Sequence, residues 1–484
     1  MKAHDTRFDG RFFVGVSSTH IYCSPICRVR MPMQKNCGFY PSAAAAEAAG
    51  FRPCLKCRPE LAPGFAATEA GAKLARAAAW MIEDGVANDV DLARVAERVG
   101  VTDRHLRRIF AEEFGVSPVQ YAQTHRLLLA KRLLTDTALP VADVAFASGF
   151  SSVRRMNALF AERYRFSPTR LRKEGREGEA AGELDSLTFV LPYRPPYDWQ
   201  RVLAFFEMRA VPGVETIADG IYRRVIRVDG AKSELAIAGW LEVSHLPKRN
   251  ALQLRFTAAL AQATQSVLSR TKQVFDVAAD PQEISAALGD LAEGAHGLRL
   301  PGAFDGFELA LRAILGQQVT VKAARTLATR FVDAFGEAIA TPFAALTRTF
   351  PTPARVAQLA RDDIGRLGIV GQRAEAMIAI AQAVTSGKLI LNGGADPSQT
   401  IDALREIKGI GPWTAHYIAM RALAWPDAWP PQDVALLNAM NLPNTAKGQR
   451  EADAIAEAWQ PWRSYAVLHT WRKLEKANPI QPQT

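Results

Sequence analysis

A chain of 484 residues is too long for one ordinary hydrophobic core, and an apolar content of 48% is enough to furnish roughly three domains. The opening MKAHDTRFDG lacks the apolar stretch of a signal peptide, and no run of about eighteen apolar residues occurs, so a soluble, cytoplasmic protein with no membrane partner is expected. The net charge of +10 sits in front: residues 1–175 hold 26 Lys and Arg against 17 Asp and Glu, and residues 176–484 hold 33 against 32. A basic front third points to a polyanion, most simply nucleic acid.

Composition shifts suggest the divisions. A zinc-type domain is expected over 1–62, ending at Pro63-Gly64, and a helical domain over 63–173. The Glu- and Gly-rich stretch 174–186 reads as a linker. An α+β part over 187–295 and a helical part over 296–484 complete a multidomain chain, mainly α with α+β parts.

All five cysteines fall within the first 57 residues. An odd count in a reducing compartment argues against a disulfide framework. Cys23 and Cys27 stand as C-x3-C, and Cys54 and Cys57 as C-x2-C. Two such loops bring four thiolates to one tetrahedral Zn2+, the alternatives being coincidence or a redox pair. Cys37 has no partner at ligand spacing and is expected as a small buried side chain. Arg28, Arg30, Lys35, Arg52, Lys56 and Arg58 are interleaved with the ligands.

The segments DGRFFVGVSSTHIYCSPICRVR and GFYPSAAAAEAAGFRPCLKCRPE resemble the amino-terminal domain of the Ada family of adaptive-response regulators. The resemblance implies that Cys23 takes a methyl group irreversibly from a DNA methylphosphotriester, with Cys27, Cys54 and Cys57 as the remaining ligands. A metal keeps the thiol deprotonated, and methylating one of four thiolates on Zn2+ cuts the site's charge from −2 to −1 and weakens its repulsion from phosphate. An inert zinc knot or a metal sensor would use the same spacing. No cysteine after Cys57 is present to accept a methyl from O6-alkylguanine, so the second Ada methyltransferase domain is not expected.

Next, VDLARVAERVGVTDRHLRRIFAEEFGVSP contains a short amphipathic helix, a turn at Gly100, Thr102 as N-cap, and a second helix bearing Arg104, His105, Arg107 and Arg108. Val95, Leu106, Ile109, Phe110 and Phe114 are its core. A similar unit follows, with a turn at Gly149, Ser151 or Ser152 as cap, and Arg154 and Arg155 on the helix. Two such units closed by SP and joined by YAQTHRLLLAKRLL resemble the AraC-type DNA-binding domain. That resemblance implies promoter DNA and RNA polymerase as partners; the arginines are either base contacts or a solvated face.

In LREIKGIGPWTAHYIAM, Gly409 and Gly411 permit a tight turn whose following helix amides can hold a DNA phosphate. Asp433 follows Pro430-Pro431 at the expected start of a helix, where an N-cap is the plain reading. With Trp413, Tyr417, Trp462 and Trp471 close by in sequence, the pattern resembles the helix-hairpin-helix glycosylase superfamily, Asp433 standing at its invariant aspartate. Further stretches, among them RPPYDWQRVLAFFEMRAVPGVETIADGIYRR and GLRLPGAFDGFELALRAILGQQVTV, narrow this to the AlkA family of alkylpurine glycosylases, over nearly all of 188–475.

The family resemblance implies that Trp413, Tyr417 and Trp471 wall a pocket for a cationic purine flipped from the duplex. It also implies that Asp433 stabilises an oxocarbenium-like sugar and positions water. Trp413 stands where lyase relatives carry a Schiff-base lysine, so a monofunctional hydrolase is implied. Gln318 stands at the position that resembles the intercalating wedge, where the best-known relative has an apolar side chain. A monomer that senses, regulates and repairs alkylated double-stranded DNA is the resulting expectation. Its rival is a regulator whose glycosylase part only binds damaged DNA.

Overall fold

The computed structural model describes residues 4–5, 8–29, 32–62, 73–85, 92–175, 185–229 and 236–477. Arg30, the Pro63-Gly64 boundary and residues 176–184 of the expected linker lie outside the described residues. Among the described residues no helix is long and apolar enough to cross a membrane.

The chain opens with strands β1 (Phe13–Val16), β2 (Ile21–Cys23) and β3 (Cys37–Tyr40), helix α1 (Ala43–Ala48) and strand β4 (Arg52–Pro53). Helices α2 (Lys73–Glu83), α3 (Leu92–Arg98), α4 (Asp103–Phe114) and α5 (Pro118–Asp136) follow. Then come α6 (Val141–Ala147), α7 (Val153–Tyr164) and α8 (Pro168–Gly175). Strand β5 (Ser186–Pro192) leads to α9 (Trp199–Arg209) and to β6 (Glu215–Ala218), β7 (Ile221–Asp229), β8 (Ala236–Leu246) and β9 (Ala251–Thr257). The remainder is helical, beginning with α10 (Thr264–Val274), α11 (Pro281–Leu288), α12 (Gly306–Leu315) and α13 (Val321–Phe335). It continues through α14 (Pro353–Ala357), α15 (Arg361–Gly365), α16 (Gly371–Thr385), α17 (Pro397–Arg405) and α18 (Pro412–Ala422). It closes with α19 (Val434–Ala439), α20 (Ala446–Glu457) and α21 (Arg463–Ala477).

These elements form two compact units: described residues up to 195 with 218–272, and 196–217 with 273–477. In the first, a small sheet of order β3-β1-β2-β4 has one parallel pair, β2 with β4, in register Ile21 to Arg52 and Tyr22 to Pro53. That register is what delivers Cys23 and Cys54 side by side. A larger sheet holds β5, β9, β8 and β7 side by side, antiparallel in turn.

The helical pairs of the first unit form for local reasons. Thr102 accepts the His105 amide at the start of α4, and Ser152, of the two serines expected, accepts the Arg155 amide at the start of α7. Gly100 and Gly149 take φ of +75° and +84°, the left-handed turn that side chains avoid. Leu106, Ile109, Phe110 and Phe114 then line one face of α4 and bury against Val95.

A buried polar node lies among α1, β2, α5 and α7. The Glu47 carboxylate accepts Tyr22 Oη (3.3 Å), Tyr164 Oη (3.1 Å) and Thr124 Oγ1 (3.0 Å). Nearby, Lys131 Nζ meets Glu60 Oε2 at 2.6 Å with both side chains all but inaccessible, and Arg58 pairs with Asp136 at 2.7 Å. Burial pushes the Glu47 carboxyl up to about 7, its hydroxyl partners and Arg163 offsetting only part of that.

The core of the second unit is made by α12, α16, α17 and α18, including Leu311, Ile314, Met377, Ile380, Leu404 and Ile418. A second cluster joins α11, α19, α20 and α21. Trp462 belongs to it, buried against Tyr465 in an edge-to-face pair at 5.6 Å.

Candidate metal centre and candidate active site

Cys23, Cys27, Cys54 and Cys57 bring their sulfurs within 4.8 Å of one another, as tetrahedral ligands around one ion require. The Cys27 amide turns back to the Ser24 carbonyl (3.1 Å), and the Cys54 amide donates to the Tyr22 carbonyl (3.0 Å). The Lys56 amide points at Cys54 Sγ at 3.4 Å. Hydrogen bonds among the thiols hold Cys54 well below the usual thiol range and push Cys23 and Cys57 above it. Four thiolates gathered this closely repel one another and need a soft or borderline cation to hold them together.

Cys23, Cys27 and Cys54 are buried and Cys57 is half-buried. Cys37 lies apart at the start of β3; it is half-buried and not buried as expected, because β3 is an edge strand. Arg28, Lys35 and Lys56 are exposed and Arg52 is half-buried on β4. Arg58 is committed to Asp136 and Glu60.

On α4, Arg104, Arg107 and Arg108 are exposed. Arg107 pairs with Asp103 and Arg108 with Glu112, each one helical turn away at 2.9 Å. Exposed pairs of this kind are weak enough to exchange for a phosphate or a base. Arg154 and Arg155 are exposed in the first turn of α7.

The second unit contains a cavity of about 1450 Å3. Its wall includes Asp433, Trp413, Tyr417, Trp471 and Gln318, with Gly409 and Gly411 at the α17–α18 hairpin. Asp433 is the N-cap of α19, its Oδ1 accepting the Leu436 amide at 2.9 Å. Its other oxygen, Oδ2, accepts Trp413 Nε1 at 2.8 Å. The carboxylate is 6% exposed, so helix and indole together fix it against the cavity.

The Trp413 and Tyr417 rings stack at 5.1 Å and 10°, one turn apart on α18. Tyr417 Oη accepts Arg421 Nη1 at 3.0 Å. Burial alone would raise this phenol, but Arg421, Arg209 and Arg312 pull it down to about 8. Arg421 is itself anchored on the Pro301 and Gly302 carbonyls. Trp471 Nε1 is buried without a hydrogen-bond partner. Gln318 is exposed at the rim with φ of +55°.

Gly409 has φ of +96°, a backbone conformation that side chains rarely adopt, while a Cβ there would meet Ala376 and Gln372 only in ordinary contact at 3.5 Å. Gly411 is different. It has φ of −82°, caps α18, is exposed, and would meet no protein atom with a Cβ. Sequence reasoning missed Gln317, Arg421 and Arg209 in this wall, because a glutamine after a helix and arginines within helices carry no motif of their own.

Four family descriptions match the chain: the metal-binding domain of Ada over 1–60, a helix-turn-helix domain over 95–174, the AlkA N-terminal domain over 188–305, and the HhH-GPD superfamily of base excision DNA repair proteins over 311–464. A probable bifunctional transcriptional activator/DNA repair enzyme AlkA of Mycobacterium tuberculosis is 35% identical across 100% of this chain and 97% of its own. DNA-3-methyladenine glycosylase 2 of Escherichia coli is 36% identical over 58% of this chain and 96% of its own. The bifunctional transcriptional activator/DNA repair enzyme Ada of Escherichia coli is 36% identical over 28% of this chain and 36% of its own. With the Ada match covering all four clustered cysteines, the cluster is a Zn2+ site.

Proposed function

The chain belongs to the family of AlkA-type bifunctional transcriptional activator/DNA repair enzymes, and from that premise we propose a DNA-3-methyladenine glycosylase that hydrolyses alkylated purines, joined to a zinc-dependent regulator that senses methylphosphotriesters. The observation that carries the enzyme reading is Asp433, held by Trp413 Nε1 on the wall of an aromatic-lined cavity.

The chemistry follows from charge. An N3- or N7-alkylated purine is cationic, and the stacked Trp413 and Tyr417 offer it an electron-rich wall once it leaves the duplex. The N-glycosidic bond breaks with its electron pair passing to the base, which departs neutral. Asp433 faces the positive charge left on the sugar and orients the water that attacks C1′. With Trp413 at the position of the lyase lysine, no amine is there to form a Schiff base, and the product is an abasic site in an uncut strand. Gly409 and Gly411 shape the hairpin whose exposed amides take a phosphate, and Gln318 fills the gap left by the base.

In the regulator, Cys23 attacks the methyl carbon of a phosphotriester, forming an S–C bond and releasing the phosphate as a diester anion. The bound zinc keeps the cysteines as thiolates. Arg52, Arg104, Arg107, Arg108, Arg154 and Arg155 contact DNA, and loss of one negative charge at the cluster tightens that contact. A monomer in contact with RNA polymerase at a promoter is the working form.

The test is one incubation of purified protein with methylated duplex, scored for released bases and protein mass together. Released 3-methyladenine that disappears in Asp433→Asn, with duplex affinity retained, is expected. Wild-type protein that binds the duplex and releases no base would leave only the regulator. A single added methyl on Cys23 is expected by peptide mapping; a methyl found on the more accessible Cys57, or none, overturns the sensor assignment.

A further inference from the structure

The loop joining α12 to α13, residues 316–320, carries Gln318, and its first polar side chain is Gln317. Gln317 Nε2 donates to the Gly409 carbonyl at 3.0 Å and to Thr414 Oγ1 at 3.1 Å. A carbonyl can only accept, so the amide nitrogen must be the group that faces the hairpin. The main-chain carbonyl of Gln317 in turn accepts the guanidinium of Arg373, on α16. Thr414 is buried in α18, next to Trp413 and hence one hydrogen bond from Asp433. The loop is therefore held on both sides, by the hairpin and α18 and by α16, while the next residue stands exposed in a left-handed conformation between Gln317 and the exposed Val319.

A non-glycine residue at positive φ is strained and persists only where its surroundings over-determine it. Gln317 and Arg373 supply that determination from the residue just before. The geometry points to Gln317 as a positioning residue that locks the wedge Gln318 to the DNA-binding hairpin and to the Trp413–Asp433 pair, so that opening the duplex and presenting the extruded nucleotide are one fixed geometry. The inference rests on the glycosylase reading, which supplies the wedge, and deepens it by naming what holds the wedge in place. Gln317 itself touches neither the base nor the sugar in this scheme.

Its action should be confined to substrates that have something to displace. When the nucleotide opposite the lesion lacks its base, no pair has to be broken and wedge position matters little. When a full pair is present, a wedge that wanders leaves the gap unfilled and the lesion restacks.

The experiment uses the full chain and a duplex carrying 2-aminopurine next to a methylated purine, whose fluorescence rises when its stack is opened. Gln317→Glu keeps the shape but replaces the donating amide with a carboxylate that repels the Gly409 carbonyl. At saturating protein, wild type should give a high signal and Gln317→Glu a clearly lower one, with base release from the paired duplex down by at least about tenfold. Release from the substrate lacking the opposite base should change by less than about threefold. Gln318→Gly should reproduce the pattern, and the double variant should add little further loss. Gln317→Leu, which removes both donations without burying a charge, repeats the measurement if the thermal midpoint of Gln317→Glu falls. Equal losses on the two substrates, or an unchanged fluorescence signal, overturn the proposal. Fluorescence that behaves as expected while no variant, wild type included, releases a base would instead strike the glycosylase reading and leave the wedge mechanics standing.

Discussion

Replacing Trp413 with Phe removes the indole N–H together with the outer part of the ring system. A phenyl at this place on α18 still faces Tyr417, whose ring centroid lies 5.1 Å from that of Trp413, so part of the stacking surface is kept and the rest is lost with the N–H. Asp433 keeps its bond from the Leu436 amide but loses the 2.8 Å bond to Oδ2, the oxygen on the Trp413 side. A hydrogen bond to a charged group contributes about 1.5–3 kcal/mol, which corresponds to roughly 10- to 150-fold in rate if the carboxylate must hold its place as the sugar becomes positive. With Asp433 only 6% exposed, water is poorly placed to substitute for the indole. The assay is single-turnover release of a methylated purine from duplex, with affinity for an abasic duplex measured in parallel. A fall in rate without a fall in affinity is expected. A rate within about threefold of wild type, or a loss appearing equally in affinity, would refute the assignment of Trp413 to holding the carboxylate.

Three further outcomes follow from the first unit. Lys131→Met leaves Glu60 buried with only Arg58 for company and should cost about 3 kcal/mol in chemical denaturation, part of which Lys131→Met/Glu60→Gln should restore. Glu47 favours its protonated form in the fold, so its contribution to stability is complete below 4.5, its ordinary value, and is lost as pH rises through about 7. Wild type should therefore lose stability relative to Glu47→Gln between about pH 5 and 8, and parallel thermal midpoints across that range would contradict this. A colorimetric zinc assay should find one ion per chain in Cys37→Ser and none held tightly in Cys54→Ser, because only Cys54 belongs to the cluster.

What could be read in advance was whatever is written locally. Cysteine spacing announced the metal, because ligand loops are short, and Thr102, Ser152, Gly100 and Gly149 announced the helical pairs, because caps and left-handed turns are decided within a few residues. Asp433 could be read only halfway. The plain expectation of an N-cap is correct for Oδ1, and the informative oxygen is the other one, whose partner lies 20 residues earlier. Gln317 reaches residues 92 and 97 positions away, and Glu47 reaches 77 and 117 positions away, distances over which no periodicity or spacing rule operates. Cys37 was misjudged because edge position in a sheet depends on strand order, which the parallel β2–β4 pairing decides.

The shared carboxylate of Glu47 also bears on how this molecule can be cut. Its acceptor oxygens serve hydroxyls that come from residue 22 at one extreme and residue 164 at the other. A recombinant fragment stopping soon after Glu60 would keep the Tyr22 hydroxyl on Glu47 and Arg58 on Glu60, but would lose the Thr124 and Tyr164 hydroxyls and the Lys131 ammonium. A fragment that extends past Tyr164 would keep all three hydroxyls on Glu47, so the damage detector and the promoter reader share one buried carboxylate.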